Sequence, residues 1–350
     1  MNPEEGKKWS RFLVLLLPVI SCAAALAPVP LYAQACGDTI TADTTLTSDI
    51  GPCPNNGLEI HASSITLNLN GFTISGSGGG TGVNFKAPFK GLTVQGPGTI
   101  TNFGIGIDAD TIGELVVQNL TLTSGIGIRI LQSGPFRIVN NTISGGGIGI
   151  AAAQTANGRI KGNTITGMNV GISMSNSGAN TVIIQNSVSA NGTGLSTHQN
   201  FPVFPNAPIT LLGNDFSNNE LDGVHIDSNI ATIWLNTVNG NGRDGILLTG
   251  QLGTAGNNLI QDNVADNNGN RGIALENVQG NSHARVTDNE VLRNALDLFW
   301  DGTGGTDNCW KFNTFGTSDP ATLPTCGFGV SVKDTGLGAG NGLGDALRGL

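Results

Sequence analysis

The chain has 350 residues, 53 of them Gly, with 16 Lys and Arg against 25 Asp and Glu for a formal net charge of −9. Glycine at twice its average usage of about 7 %, without a Gly-X-Y period, excludes collagen and demands many turns or close backbone approaches. The acidic balance and the lack of basic runs exclude the broad positive surface by which a protein holds nucleic acid.

The chain opens as a secretory signal. Lys7, Lys8 and Arg11 precede an apolar stretch from Phe12 to Leu26, and Ala33-Gln34-Ala35 has the small-x-small form that signal peptidase cuts. Residues 1–35 are therefore expected to be removed, leaving a mature chain that starts at Cys36 and is secreted, periplasmic or held at the cell surface. An alternative is lipidation at Cys22, where Val19-Ile20-Ser21-Cys22 resembles a bacterial lipobox. No later stretch approaches the ~20 apolar residues of a spanning helix, so the processed chain is expected not to span a membrane.

Processing by either route leaves Cys36, Cys53, Cys309 and Cys326, an even number that suits an oxidising compartment. Four cysteines allow three connectivities. The long separation between the two local pairs selects Cys36–Cys53 and Cys309–Cys326. A zinc site is the competing use, but no Cys-x-x-Cys spacing supports it.

Between the cysteine pairs a two-part phrase recurs. Its first part is Gly followed by an aliphatic residue: Gly82-Val83, Gly106-Ile107, Gly127-Ile128, Gly149-Ile150, Gly171-Ile172, Gly194-Leu195, Gly223-Val224, Gly245-Ile246 and Gly272-Ile273. Its second part is an aliphatic residue, two variable positions and Asn, as in Ile138-Val139-Asn140-Asn141. The Asn recurs at Asn163, Asn186, Asn214, Asn236, Asn289 and Asn313, with Asp262 taken for the same slot. A period of 20–30 residues sustained this long means a solenoid. After each Gly the chain alternates apolar and polar, which gives short strands with one face buried. Stacked coils follow, about 9 to 11 of them, each stable only against its neighbours. The fold class expected is all-β, a single right-handed parallel β-helix domain. A leucine-rich repeat has a similar Asn column, but Leu is scarce at the repeat positions. The asparagines are read as structural, their amides joining coil to coil at a bend.

The opening Cys36-Gly37-Asp38-Thr39-Ile40-Thr41-Ala42-Asp43-Thr44-Thr45-Leu46-Thr47, then Cys53, then Ile65-Thr66-Leu67-Asn68-Leu69-Asn70-Gly71-Phe72-Thr73-Ile74, resembles secreted right-handed parallel β-helix proteins of the pectin-lyase-like and NosD-like group. The likeness covers about residues 36–326. It implies an exported, carbohydrate-associated β-helix without implying catalysis. Residues 36–56 are expected to cap the first coil and 57–326 to form the solenoid. Trp310, Phe312 and Phe315 inside the Cys309–Cys326 loop are expected to plug its far end. Residues 327–350, with eight Gly, read as a flexible tail.

Chemistry is sought on the outward strand positions. His198 and Asp227 both lie four residues after a repeat Gly, so they are expected side by side on adjacent coils, with His225 two positions from Asp227 on the same side. A His and carboxylate cluster moves protons near neutral pH. The longest coil adds Phe201-Pro202-Val203-Phe204-Pro205, which makes Phe201 and Phe204 candidate walls of a cleft. Asp108 and Asp110 are weak candidates for Ca²⁺, which needs six to eight oxygens; no other cofactor is called for. A second outward column places Ile184, Leu212 and Trp234 on consecutive coils as an exposed apolar strip for a ligand, with Trp234 stacking on a sugar.

Several signatures that the resemblance would bring are missing. Gly158-Arg159-Ile160-Lys161 holds the Arg-Ile-Lys triplet of polygalacturonases without their other elements. Alginate epimerases resemble this fold and use a Tyr with Asp and His, whereas the one Tyr here, Tyr32, lies in the signal segment. NosD-like copper handling is unsupported by so few, scattered His and Met. The function expected is an exported β-helix that binds polysaccharide or a surface protein. A lyase or hydrolase of a cell-surface or plant glycan, and a purely adhesive solenoid, are the alternatives.

Overall fold

The computed structural model describes residues 33–327, apart from 86–87, 178, 199–207, 228–229, 251–256, 277–282 and 303–307. Residues 1–32 of the expected signal segment with Cys22 and Tyr32, the candidates Phe201 and Phe204, and residues 328–350 of the expected tail lie outside the described residues.

The chain from Ala33 onward winds through three parallel faces. Each coil visits a first face carrying the repeat Gly, then a second, then a third. The second face is a single sheet of 12 strands, from Thr44–Thr45 to Cys309–Lys311, so the solenoid runs to about eleven turns, at the upper end of the expected number. The first and third faces merge into one sheet of 18 strands, because Thr121–Leu131 and Thr142–Ala153 run unbroken from the third face onto the first. No helix occurs among the described residues. Strand-to-parallel-strand passages of this kind take one hand, the right.

Period-two alternation decides what is inside. On the first face Ile107, Ile128, Ile150, Ile172 and Leu195 stack in register, and all are fully buried. Val117, Ile138, Ile160 and Ile183 do the same on the second. Burying each such side chain stabilises by about 1.5–3 kcal/mol, and β-branching suits the pleated surface. The repeat Gly has a separate cause. A Cβ on Gly127 would lie 2.6 Å from the carbonyl oxygen of Gly149 and 2.5 Å from Ile143 Cγ2. Coil therefore rests on coil through bare backbone at this column.

The Asn column forms a continuous ladder. Asn163 Nδ2 donates to Asn186 Oδ1 at 2.9 Å and to the Ile138 carbonyl at 2.9 Å, while its Oδ1 accepts from the Asn141 backbone N–H and amide. The pattern continues through Asn214, Asn236, Asn263 and Asn289 to Asn313. One position is corrected: Asn263, not Asp262, occupies the rung. A rung must both donate and accept, and a carboxylate has no proton to give. Asp262 sits one residue earlier at φ 52°, the left-handed corner position that Asn140 and Leu235 also take.

Both expected disulfides are present, Cys36–Cys53 and Cys309–Cys326. At the far end Trp310 is buried and its ring lies 5.5 Å from that of Trp300. Phe312 and Phe315 do not join the plug. Phe312 is 73 % exposed, at the left-handed corner position (φ 57°), and Phe315 is 42 % exposed at the end of the short strand Thr314–Phe315. The stack is instead finished by Asp297, which stands where the next Gly would be. Its carboxylate accepts from the Gly316 and Thr317 backbone N–H groups and from Asn294. Burial pushes this carboxyl up, but those hydrogen bonds outweigh it and hold it below the usual range.

Candidate functional site

Strands Thr193–His198 and Val224–Asp227 pair in parallel, Leu195 with Val224 and Ser196 with His225. That register carries His198 onto Asp227 across a 29-residue step, and His198 Nδ1 lies 3.1 Å from Asp227 Oδ2. The carboxylate is a tenth exposed and the imidazole 59 %. A carboxylate can only accept, so Nδ1 carries the proton and Nε2 is the free basic position.

Thr197 supports the pair from inside. It points into the core where the neighbouring coils place Met174 and Ile226. Its hydroxyl accepts from the Asp227 backbone N–H at 2.9 Å, so a side chain takes over where the ladder between these strands stops. His225 stands between Ser196 and Leu247 in register, with Nε2 3.1 Å from Thr249 Oγ1. Burial pushes its pKa below the ordinary 6.5, against the pull of Asp222 and Asp227. His225 is thus neutral at pH 7. The structure brings His198, His225 and Asp227 together as their spacing predicts.

Other candidates are placed differently. Both Asp108 oxygens are taken by Arg129, at 2.8 Å from Nε and 2.5 Å from Nη2, while Asp110 accepts from Thr111. The charge a cation would need at Asp108 is already neutralised. Among the described residues no group of three or more His, Cys, Asp or Glu side chains converges on a metal position.

The apolar strip is corrected. Ile184 and Leu212 are 1 % and 5 % exposed and form a small cluster outside the main core, with Val182 and Trp234 packed against it. They hide surface from water and present none. Trp234 alone stays half-buried, its Nε1 donating to Asp262 Oδ2 at 2.9 Å.

Two features escaped the sequence reading. A second amide ladder runs through Asn191, Asn219, Asn241, Asn268 and Asn294 at the corner between the third and first faces. Beside it, Asp222, Asp244 and Asp266 pair with Arg243, Arg271 and Arg293 of the following coils. The available signal was an Asn three or four residues before the repeat Gly, from Asn191 to Asn268.

A family profile described as "Right handed beta helix region" matches residues 90–233. No curated protein sequence matches the chain. Among solved structures, the A-module of mannuronan C-5 epimerase AlgE6 from Azotobacter vinelandii is similar at TM-score 0.56 and 14 % identity, over 81 % of this chain and 89 % of that one. A mutant of the periplasmic alginate epimerase AlgG gives 0.54 and 13 %, over 79 % and 76 %. The Dettilon tailspike protein gives 0.53 and 14 %, over 81 % and 60 %. Likeness at this identity is likeness of fold.

Proposed function

We propose that this right-handed parallel β-helix repeat protein is exported and binds polysaccharide along the outward columns of its first face. The observation that carries the reading is the alignment of Ser173, Ser196 and His225 in one column with Ser175, His198 and Asp227 in the next. Successive rungs are about 4.8 Å apart. Hydroxyl, imidazole and carboxylate groups in two such rows offer both donors and acceptors to a polyhydroxylated chain. Two of the similar structures are named as epimerases of mannuronan and alginate, which supports a polysaccharide as the ligand class. Two disulfides support an oxidising compartment. Residues 1–35 would then be the cleaved signal, 36–56 the first cap, 57–326 the solenoid and 327–350 a tail. The mass of the mature N-terminus separates cleavage before Cys36 from lipidation at Cys22.

A second reading, a lyase or hydrolase of a cell-surface or plant glycan, is favoured by one observation. An exposed imidazole whose tautomer is set by a buried carboxylate lies beside a second, neutral imidazole, which is an arrangement fit for general base work. The exported chain is incubated with neutral and acidic polysaccharides, with and without Ca²⁺, and the mixture is read by mass spectrometry and by binding. Products that vanish in His225→Ala establish the enzyme. Binding without products, weakened by His198→Ala, establishes a binding protein. No binding to any glycan leaves an adhesive solenoid and overturns the proposal.

A further inference from the structure

One outward pattern repeats from coil to coil along the third face. Thr73, Thr99, Thr121, Thr142, Thr164 and Ser187 stand in register in one column. Two residues further along each strand, Ser75, Thr101, Thr123, Ser144 and Thr166 form a second. Between the columns Ile74, Ile100, Leu122, Ile143 and Ile165 are fully buried, which fixes the backbone beneath both. Threonine suits strands anywhere, yet the outward columns of the other faces are mixed. Asp108, Arg129, Ala151 and Ser173 share one on the first face, and Val116, Arg137, Arg159 and Val182 share one on the second. The pattern also stops on its own face, where Asp215 follows Ser187 and Val264 follows Thr237.

The array is a lattice in two directions. Coils repeat at about 4.8 Å and alternate residues of a strand at about 6.7 Å. No register shift interrupts these rows from Thr73 to Thr166. β-Branching holds threonine χ1 stiff, so hydroxyls and methyls repeat as regularly as the backbone does. Thr123 and Ser144 meet at 3.3 Å within the lattice. Among the described residues the hydroxyls of Thr99, Thr101, Thr121, Thr142, Thr164 and Thr166 make no hydrogen bond, so each has a donor and acceptors to give outward. The net charge is −9, yet residues 73–76, 99–101, 121–124, 142–147, 164–166 and 187–189 include no charged and no aromatic side chain. Charge complementarity therefore selects an uncharged partner.

Any exposed hydroxyl is met by liquid water, and regular spacing gains nothing from a partner that has no order of its own. It matters to a partner that is itself periodic. Water oxygens on the prism face of hexagonal ice repeat in two perpendicular directions at spacings close to those of this array, and each donates and accepts as a hydroxyl does. We infer that the threonine lattice of the third face binds the surface of ice. Its hydroxyls hold first-shell waters in lattice positions, and the methyls beside them remove apolar surface from the liquid. The contacts are individually weak, but they act together on a rigid frame that has little freedom left to lose. The first-face proposal shares none of these residues.

The exported full chain is partitioned between slowly growing ice and the residual liquid, with serum albumin as the bystander, and the melting and freezing points of a single ice crystal are read in its solution. The chain is expected to enrich in the ice and to open a gap between the two temperatures. Thr121→Lys/Thr142→Lys, which projects two charges from the centre of the lattice, is expected to lose both effects. Thr121→Gln/Thr142→Gln keeps the face neutral and able to hydrogen-bond but breaks its spacing, and should lose them as well. Urea unfolding checks that both variants fold. Thr237→Gln, in the same column beyond Asp215, should behave as the unaltered chain does. No enrichment over albumin, or enrichment that survives in both folded double variants, overturns the inference. Crystalline cellulose and chitin are offered in the cold in parallel. Binding to either that vanishes in the double variants, without retention in ice, overturns the ice assignment in favour of a crystalline glycan. His198→Ala should keep full retention in ice; loss there would place the contact on the first face and overturn the inference, while glycan binding by the same variant tests the first-face reading separately.

Discussion

The corner between the third and first faces is turned in two ways within one solenoid. In the N-terminal half, strands Thr121–Leu131 and Thr142–Ala153 run straight across it on Gly125 and on Gly145, Gly146 and Gly147, and the position before the repeat Gly is apolar: Ile105, Ile126, Ile148 and Val170. In the C-terminal half the same corner is held by the Asn191 to Asn294 ladder, and the position before the Gly carries Asp222, Asp244 and Arg271. The first solution stacks backbone on backbone and needs only that nothing project from the chain. The second projects side chains and satisfies them with amides and ion pairs. One fold therefore contains a half whose corner is indifferent to charge and a half whose corner depends on it. The His198–Asp227 pair lies where the first gives way to the second.

The largest expected effect breaks the glycine solution. Gly147→Ala puts a methyl carbon 2.2 Å from the Gly125 carbonyl oxygen, which is backbone and cannot swing away. A loss of about 4 kcal/mol or more is expected, in the exceptional class of single substitutions. Gly146→Ala, whose added carbon meets nothing within 4 Å, should be neutral within about 0.5 kcal/mol. Urea unfolding of the two variants makes the check. Equal effects would mean that the corner glycines are chosen for flexibility and not for space.

Next comes the charged solution. Asp244→Asn leaves Arg271, 13 % exposed, with half of its bidentate partner. It should cost about 3 kcal/mol, as when one member of a buried pair is removed. Asp266→Asn should cost less, because Arg293 is mostly in water. Asn241→Ala removes a rung that accepts from Asn219 and donates to Asn268, for about 2 kcal/mol through unsatisfied groups. A solenoid is stabilised between neighbours, so hydrogen exchange should show opening confined to residues around 215–297 in all three. Protection lost equally around residues 100–150 would sink the idea of two separable halves.

Legibility in the sequence follows from what repeats. The period, the inward column and the first ladder were readable because each coil restates them, and His198 met Asp227 because counting from the repeat Gly survives an inserted loop. At Asp262 the phrase fits with either Leu259 or Ile260 as its opening aliphatic residue, and the two starts place the Asn slot one residue apart. Chemistry decides between them, since a rung needs a donor and only Asn263 supplies one. The second ladder was missed because it exists in only half of the coils, where it looks like ordinary turn composition. Alternation alone puts Ile184 and Leu212 in water, because the packing of Val182 and Trp234 against them arises from register between coils and is written in no single coil. The threonine lattice was hidden for a related reason: each Thr-x-Thr is ordinary in its own coil, and only register makes the columns.

The smallest effect is a pH dependence that should separate the halves. Burial lowers the His225 pKa in the folded chain, so near the ordinary value of about 6.5 the unfolded chain binds the extra proton. Stability from this group is complete above that pH and declines as pH falls through 6.5 toward the folded value. Asp297 is depressed as well, and its contribution persists above the usual carboxylate value of about 3.9 and is lost only below it. Acidification from pH 7.5 to 5 should therefore loosen the coils around His225 first, while the cap at Asp297 and the glycine corner stay protected. Hydrogen exchange at the two pH values, with exchange rates corrected for pH, reads this directly. His225→Gln should abolish the difference at residues 224–227, and a difference that survives the substitution would show that His225 is not its source.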